Sequence, residues 1–176
     1  MLFYLNENYN IMKKIIILLL ITLVFSSCEK DDVCAETTPT TPKVVIEFFD
    51  AANATDTPKN VTNLKITAAN FTSSIIYNGT NKIKVPLKTF QDNSVLSFTL
   101  NGSIDPTSDD NLDEITFNYS RTESYVSRAC GFKTTFLLDS NTPVLLTPDA
   151  ANWIQNIVVV KSNIENENET HIKIYF

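Results

Sequence analysis

Strict alternation of apolar and polar residues, broken every few positions by Asn, Asp, Gly, Ser, Thr and Pro, leaves this chain little choice but short β-strands. Ile83, Val85 and Leu87 alternate with Lys82, Lys84 and Lys88. That pattern predicts a strand with one wet face, and Pro86, which has no amide proton, predicts an edge position or a bulge. Leu96, Phe98 and Leu100 alternate with Ser97, Thr99 and Asn101, and Ile115, Phe117 and Tyr119 with Thr116, Asn118 and Ser120. Val44–Phe49 is apolar at nearly every position, as in a strand covered on both faces. Shorter strands are predicted over Leu64–Thr67, Ser74–Tyr77, Tyr125–Phe136 with a break near Gly131, Val144–Leu146, Ile154–Val160 and His171–Phe176. About nine short strands with turn signals between them predict an all-β fold, an antiparallel β-sandwich of immunoglobulin-like or related Greek-key topology. Thr147, Pro148 and Asp149 can start at most one helical turn, which would deliver Trp153 to the core.

The N-terminal part follows different rules. Lys13 and Lys14 precede the apolar run Ile15–Phe25, which ends at Ser26, Ser27 and Cys28. A basic start, a short apolar stretch and small residues before a cysteine are the parts of a lipoprotein signal peptide, and the run is short for a ~30 Å hydrocarbon core. The predicted organisation is a misassigned start over 1–11, a signal over 12–27, an acylated tether over 28–42 and a sandwich over 43–176. Pro39 and Pro42 favour extended backbone, so the free tether would reach ~30 to 40 Å.

If Cys28 carries lipid, Cys34 and Cys130 form an even pair in an oxidising compartment, predicting a disulfide, with two independent thiols as the alternative. A bridge would leave only Cys28 to Cys34 free. The whole chain has a net charge of −6, and loss of 1–27, with Lys13, Lys14 and Glu7, takes it to −7. Arg121 and Arg128 are its only arginines, which argues against a nucleic-acid partner.

Candidates for chemistry are few. Asp109, Asn111 and Asp113 alternate as in the first half of a calcium loop, but Glu114 stands where the sharp-turn glycine belongs and Ser120 where a bidentate acid belongs. A solvated inter-strand loop is the preferred reading, and no metal or other cofactor is expected. His171, the only histidine, shares strand parity with Lys173 and Tyr175, predicting exposure. Pairing of His171 with a Cys130 nucleophile would compete with the disulfide. Arg128 shares parity with Val126, Cys130 and Phe132, which turns it toward a covered face and makes it the candidate binding residue.

Several stretches together resemble an uncharacterised family of Bacteroidota lipoproteins. They are Ser26–Asp32, Cys34 with Thr38–Pro42, Val44–Asp50, Tyr125–Lys133, Asn152–Gln155 and His171–Tyr175. The resemblance implies a domain of unknown function and supplies no catalytic residue. Lys30, Asp31 and Asp32 are similar to the export signal that sends such lipoproteins to the outer leaflet. The resulting expectation is a cell-surface lipoprotein, anchored in the outer membrane by N-terminal lipid, whose non-catalytic sandwich contacts another envelope protein. The alternatives are a glycan- or nutrient-binding accessory, using exposed aromatics such as Tyr77, Tyr119 or Tyr125, and an envelope hydrolase.

Overall fold

Eleven strands form two sheets in the computed structural model, which describes residues 12–18, 33–102 and 109–176. They are β1 (Val44–Phe49), β2 (Leu64–Ala68), β3 (Ser74–Tyr77), β4 (Lys82–Val85), β5 (Asn93–Leu100), β6 (Asn111–Ser127), β7 (Gly131–Leu138), β8 (Val144–Leu146), β9 (Asn156–Val159), β10 (Asn163–Ile164) and β11 (Ile172–Tyr175). Residues 12–18 are helical, and no described helix is long and apolar enough to cross a membrane. Cys28, Lys30, Asp31 and Asp32 lie outside the described residues, as does most of the expected signal.

Contacts divide the chain into two units. One comprises 1–39 and 125–132; the other comprises 40–124 and 133–176 and holds the core.

The four-stranded sheet runs β4-β1-β11-β9, and the larger one β10-β7-β6-β5-β2-β3, with β8 beside β6. Phe48, Ile46, Ile172 and Ile174 from the first sheet join Leu64, Ile66, Phe98, Ile115, Phe117 and Phe136 from the second in one buried cluster. The expected sandwich is therefore present, with strands that are mainly antiparallel. One pair departs from the antiparallel expectation: β1 lies parallel to β11, Ile46 opposite Ile172 and Phe48 opposite Ile174. Trp153 reaches the core on a turn rather than a helix. Its Nε1–H donates to the Phe98 carbonyl at 3.1 Å, and its ring meets Phe176 edge-on at 5.3 Å.

Edge strands behave as their residues dictate. β4 borders the smaller sheet, its Ile83 and Val85 inward and its lysines outward, and it stops at Pro86. Lys82 pairs with Glu47 and Lys84 with Glu167, so this outer face is laced with ion pairs. Burial works against the charge of Glu47, yet hydrogen bonds with Lys82 and Thr170 outweigh it and hold the carboxyl below its ordinary range.

β6 is the largest departure from the predicted boundaries. Separate strands are expected around Ile115–Tyr119 and from Tyr125, but one strand of 17 residues runs through Ser120–Ser124. That polar run reads as a connector, whereas a hairpin arm with exposed side chains requires no apolar alternation.

Candidate functional site

The segment after β4 is tied down at Lys88, Thr89 and Asp92. Lys88 N–H donates to Ser94 Oγ at 2.8 Å, Tyr119 Oη donates to the Lys88 carbonyl at 2.8 Å, and Ser94 Oγ and Tyr119 Oη lie 2.7 Å apart. With the phenol proton on Lys88, the Ser94 hydroxyl gives its own to Tyr119, closing the network. Burial pushes the Tyr119 phenol up and keeps that donor in place. Arg121 continues the restraint: its Nη1 donates to the Thr89 carbonyl and its Nε lies 2.7 Å from Asp92 Oδ1.

On this anchored segment stands Phe90, 89% exposed. Beside it the edges of the two sheets part, leaving an apolar groove of about 310 Å³ lined by Ile66, Phe71, Ile75, Pro86, Leu87 and Leu96 among others. Phe71, 61% exposed, also lines a second depression with Phe90, Lys88 and Gln91. The turn carrying Phe71 is set by Asn70 at φ 69° and by the Phe71 amide donating to the Ala68 carbonyl. Asparagine tolerates that left-handed backbone better than most residues. β3 ends the larger sheet, and both Ile75 and Ile76 are exposed on it. Tyr77 Oη reaches across to the Lys84 carbonyl at 2.6 Å, linking β3 with β4.

A second feature belongs to the other unit. β6 and β7 meet in a turn over residues 128–130 in which Ser127 Oγ accepts the Cys130 amide at 3.1 Å, followed by Gly131 at φ 69°. A three-residue hairpin loop closed by a left-handed glycine is a standard solution for antiparallel strands. Cys130 is bridged to Cys34, with Cα atoms 5.0 Å apart. Arg128 is exposed, correcting the expectation of a covered guanidinium, because strand parity ends at Ser127 and the turn reorients the residues after it. Tyr125 and Phe132 meet edge-on at 5.4 Å, 59% and 67% exposed.

The remaining sequence candidates are drawn inward. Asp113 is fully buried: Oδ2 accepts the Ile154 amide at 2.8 Å and Oδ1 accepts Asn152 Nδ2 at 3.1 Å. Asn111 Nδ2 donates to the Ala151 carbonyl at 2.9 Å. Two of the three calcium-loop positions are thus committed to holding the Trp153 turn, and no group of three metal-ligating side chains occurs among the described residues.

His171 reverses its expectation and is fully buried. Its amide donates to Val45 O, its carbonyl accepts Val160 and Lys161 amides, and its Nδ1 accepts the Val45 amide at 2.9 Å. Being held between β1 and the residues after β9 overrides the simple strand parity. An acceptor Nδ1 places the proton on Nε2, which is buried without a partner among the described residues.

Architecture, rather than chemistry, defines the class: a two-sheet β domain with an apolar groove where its edges part. The chain belongs to the family of unknown function DUF6452, whose pattern matches residues 63–176, more than half of its length. No curated protein and no solved structure matches it.

Proposed function

We propose that this protein is a lipoprotein of the Bacteroidota outer membrane, acylated at Cys28 and directed to the cell surface by Lys30, Asp31 and Asp32. Its sandwich acts as a non-catalytic interaction module for another envelope protein. The observation that carries the binding role is Phe90, held outward on a segment restrained by Tyr119, Ser94 and Arg121 beside the apolar groove. Anchoring the backbone of an exposed aromatic lowers the ordering cost of contact, and aromatic anchors dominate protein interfaces. The exposed β3 edge adds an unpaired row of backbone groups for an extended segment.

The alternatives draw less support. The hydrolase reading needs a carboxylate pair or a nucleophile with its base: for the second route the only histidine is buried with Nδ1 occupied and Cys130 is bridged, and the buried Asp113 carboxylate is taken up by Ile154 and Asn152. Of the aromatics suited to a glycan, Tyr119 is buried and Tyr77 is half-buried, and Tyr125 meets Phe132 edge-on instead of offering a flat platform.

A photo-crosslinking residue in place of Phe90, in living cells, tests the partner. A discrete protein adduct that disappears with Phe71→Asp is the expected result; an adduct pattern no different from that of the same label at exposed Thr55 would refute it. Metabolic acyl labelling, lost in Cys28→Ser, tests the anchor.

A further inference from the structure

Val33, 79% exposed, stands next to the bridged Cys34, and the turn to which Cys34 is bonded exposes the Tyr125 and Phe132 rings with Arg128 between them. Cys28 lies six residues before Cys34. Six residues span at most ~20 Å when fully extended. The bridge therefore ties this turn to Cys28 by a leash of at most ~20 Å, against ~30 to 40 Å for the free tether to the sandwich.

From this geometry we propose that the β6–β7 turn is a bilayer-contacting tip, with Tyr125, Phe132 and Val33 entering the interfacial layer of the membrane that holds the anchor and Arg128 meeting lipid phosphates. The proposal rests on acylation of Cys28. Aromatic rings and arginine are the side chains suited to the layer between water and hydrocarbon, where a ring finds an apolar phase and a guanidinium finds phosphate. A short leash holds the turn at an effective concentration on the order of millimolar, so weak affinity suffices for contact. Glu29, Asp31, Asp32 and Glu36 outnumber Lys30 beside the anchor. Net charge thus opposes an anionic surface, and the attraction comes mainly from the rings, with Arg128 and Lys133 as the cations of the turn. Contact should accordingly occur on zwitterionic lipid and change little with salt.

The test uses the acylated full chain in phosphatidylcholine vesicles, with Tyr125→Trp as reporter and the wild type, whose single Trp153 is buried, as baseline. The added emission should fall several-fold in vesicles of lipid brominated near the headgroup end of its acyl chains, and salt should not restore it. Equal added emission in brominated and plain vesicles, with the acyl mass on Cys28 verified, would overturn the tip contact while leaving the anchor standing. A Cys28 without acyl mass would overturn the anchor and the contact with it. Amide exchange in the unmutated chain gives a second measurement. Residues 128–131 should exchange several-fold more slowly on vesicles than in the chain cleaved from its anchor, and equal rates would count against the contact.

Discussion

Acidification should weaken this fold in a window that belongs to one residue. His171 is the only histidine, fully buried, with Nδ1 accepting the Val45 amide and Nε2 enclosed. Burial is the largest influence on it and holds its pKa below the ordinary 6.5; Glu169 and Glu167 pull upward, Lys161 pulls downward, and burial prevails. The unfolded chain binds a proton as pH falls through that ordinary value, and the folded chain does not. Stability is therefore complete above it and declines below it, by ~1.4 kcal/mol per pH unit once the unfolded imidazole is fully charged. The decline stops only where the folded imidazole itself takes a proton. Between about pH 7.5 and pH 5.5 the loss sums to as much as ~1.4 kcal/mol. With a urea dependence on the order of 2 kcal/mol per molar, the midpoint should drop by at most about 0.7 M. Glu47, Glu167 and Glu169 are held below their ordinary 4.5 and Asp56 below 3.8, so their contributions are lost only at lower pH. Urea titrations followed by Trp153 emission measure the effect, and His171→Gln, whose amide oxygen can still accept from Val45, should flatten the window. A wild-type midpoint that does not move, or an equal slope in His171→Gln, would refute the assignment.

Asp113→Ala should cost about 3 to 5 kcal/mol, because it strands the Ile154 amide and the Asn152 side chain; Asp113→Asn, able to keep the Ile154 contact, should cost less, and paired urea curves distinguish them. Reduction of the Cys34–Cys130 bridge, separated by 96 residues, should lower stability by up to roughly 4 to 5 kcal/mol. The measured loss should be smaller to the extent that residues 34–40 gain freedom in the folded state, and equal midpoints with and without reductant would contradict it. Gly102→Ala sets a Cβ 2.9 Å from Lys65 Cβ and 3.0 Å from Thr99 Cβ, so thermal melting should report a loss of about 1 to 3 kcal/mol.

Period-two patterning carried most of the fold because a half-buried strand has to alternate. Ile83 and Val85 turn inward on β4, and Leu96 and Phe98 on β5, for that reason. Where one force did not dominate, the pattern misled. Asp113 shares parity with the buried Ile115, Phe117 and Tyr119, so alternation already directed it inward, against the calcium-loop spacing. The Tyr119, Ser94 and Lys88 network had no signature, since it joins groups 25 and 31 positions apart through single hydroxyls. Phe90 offered none either: an exposed phenylalanine among Thr89, Gln91 and Asp92 gains its meaning from backbone restraints made elsewhere. The parallel pairing of β1 with β11 follows from long-range topology, on which local periodicity is silent.

That pairing bears on the order in which the smaller sheet can assemble. β11 lies between β1 and β9, so the smaller sheet has no continuous centre until residues 172–175 are available. β1, apolar on both faces, finds only β4 as a partner before then. Contacts of such sequence separation form late. On the export reading, a chain threading a translocation channel N-terminus first cannot complete this sheet ahead of its own last strand.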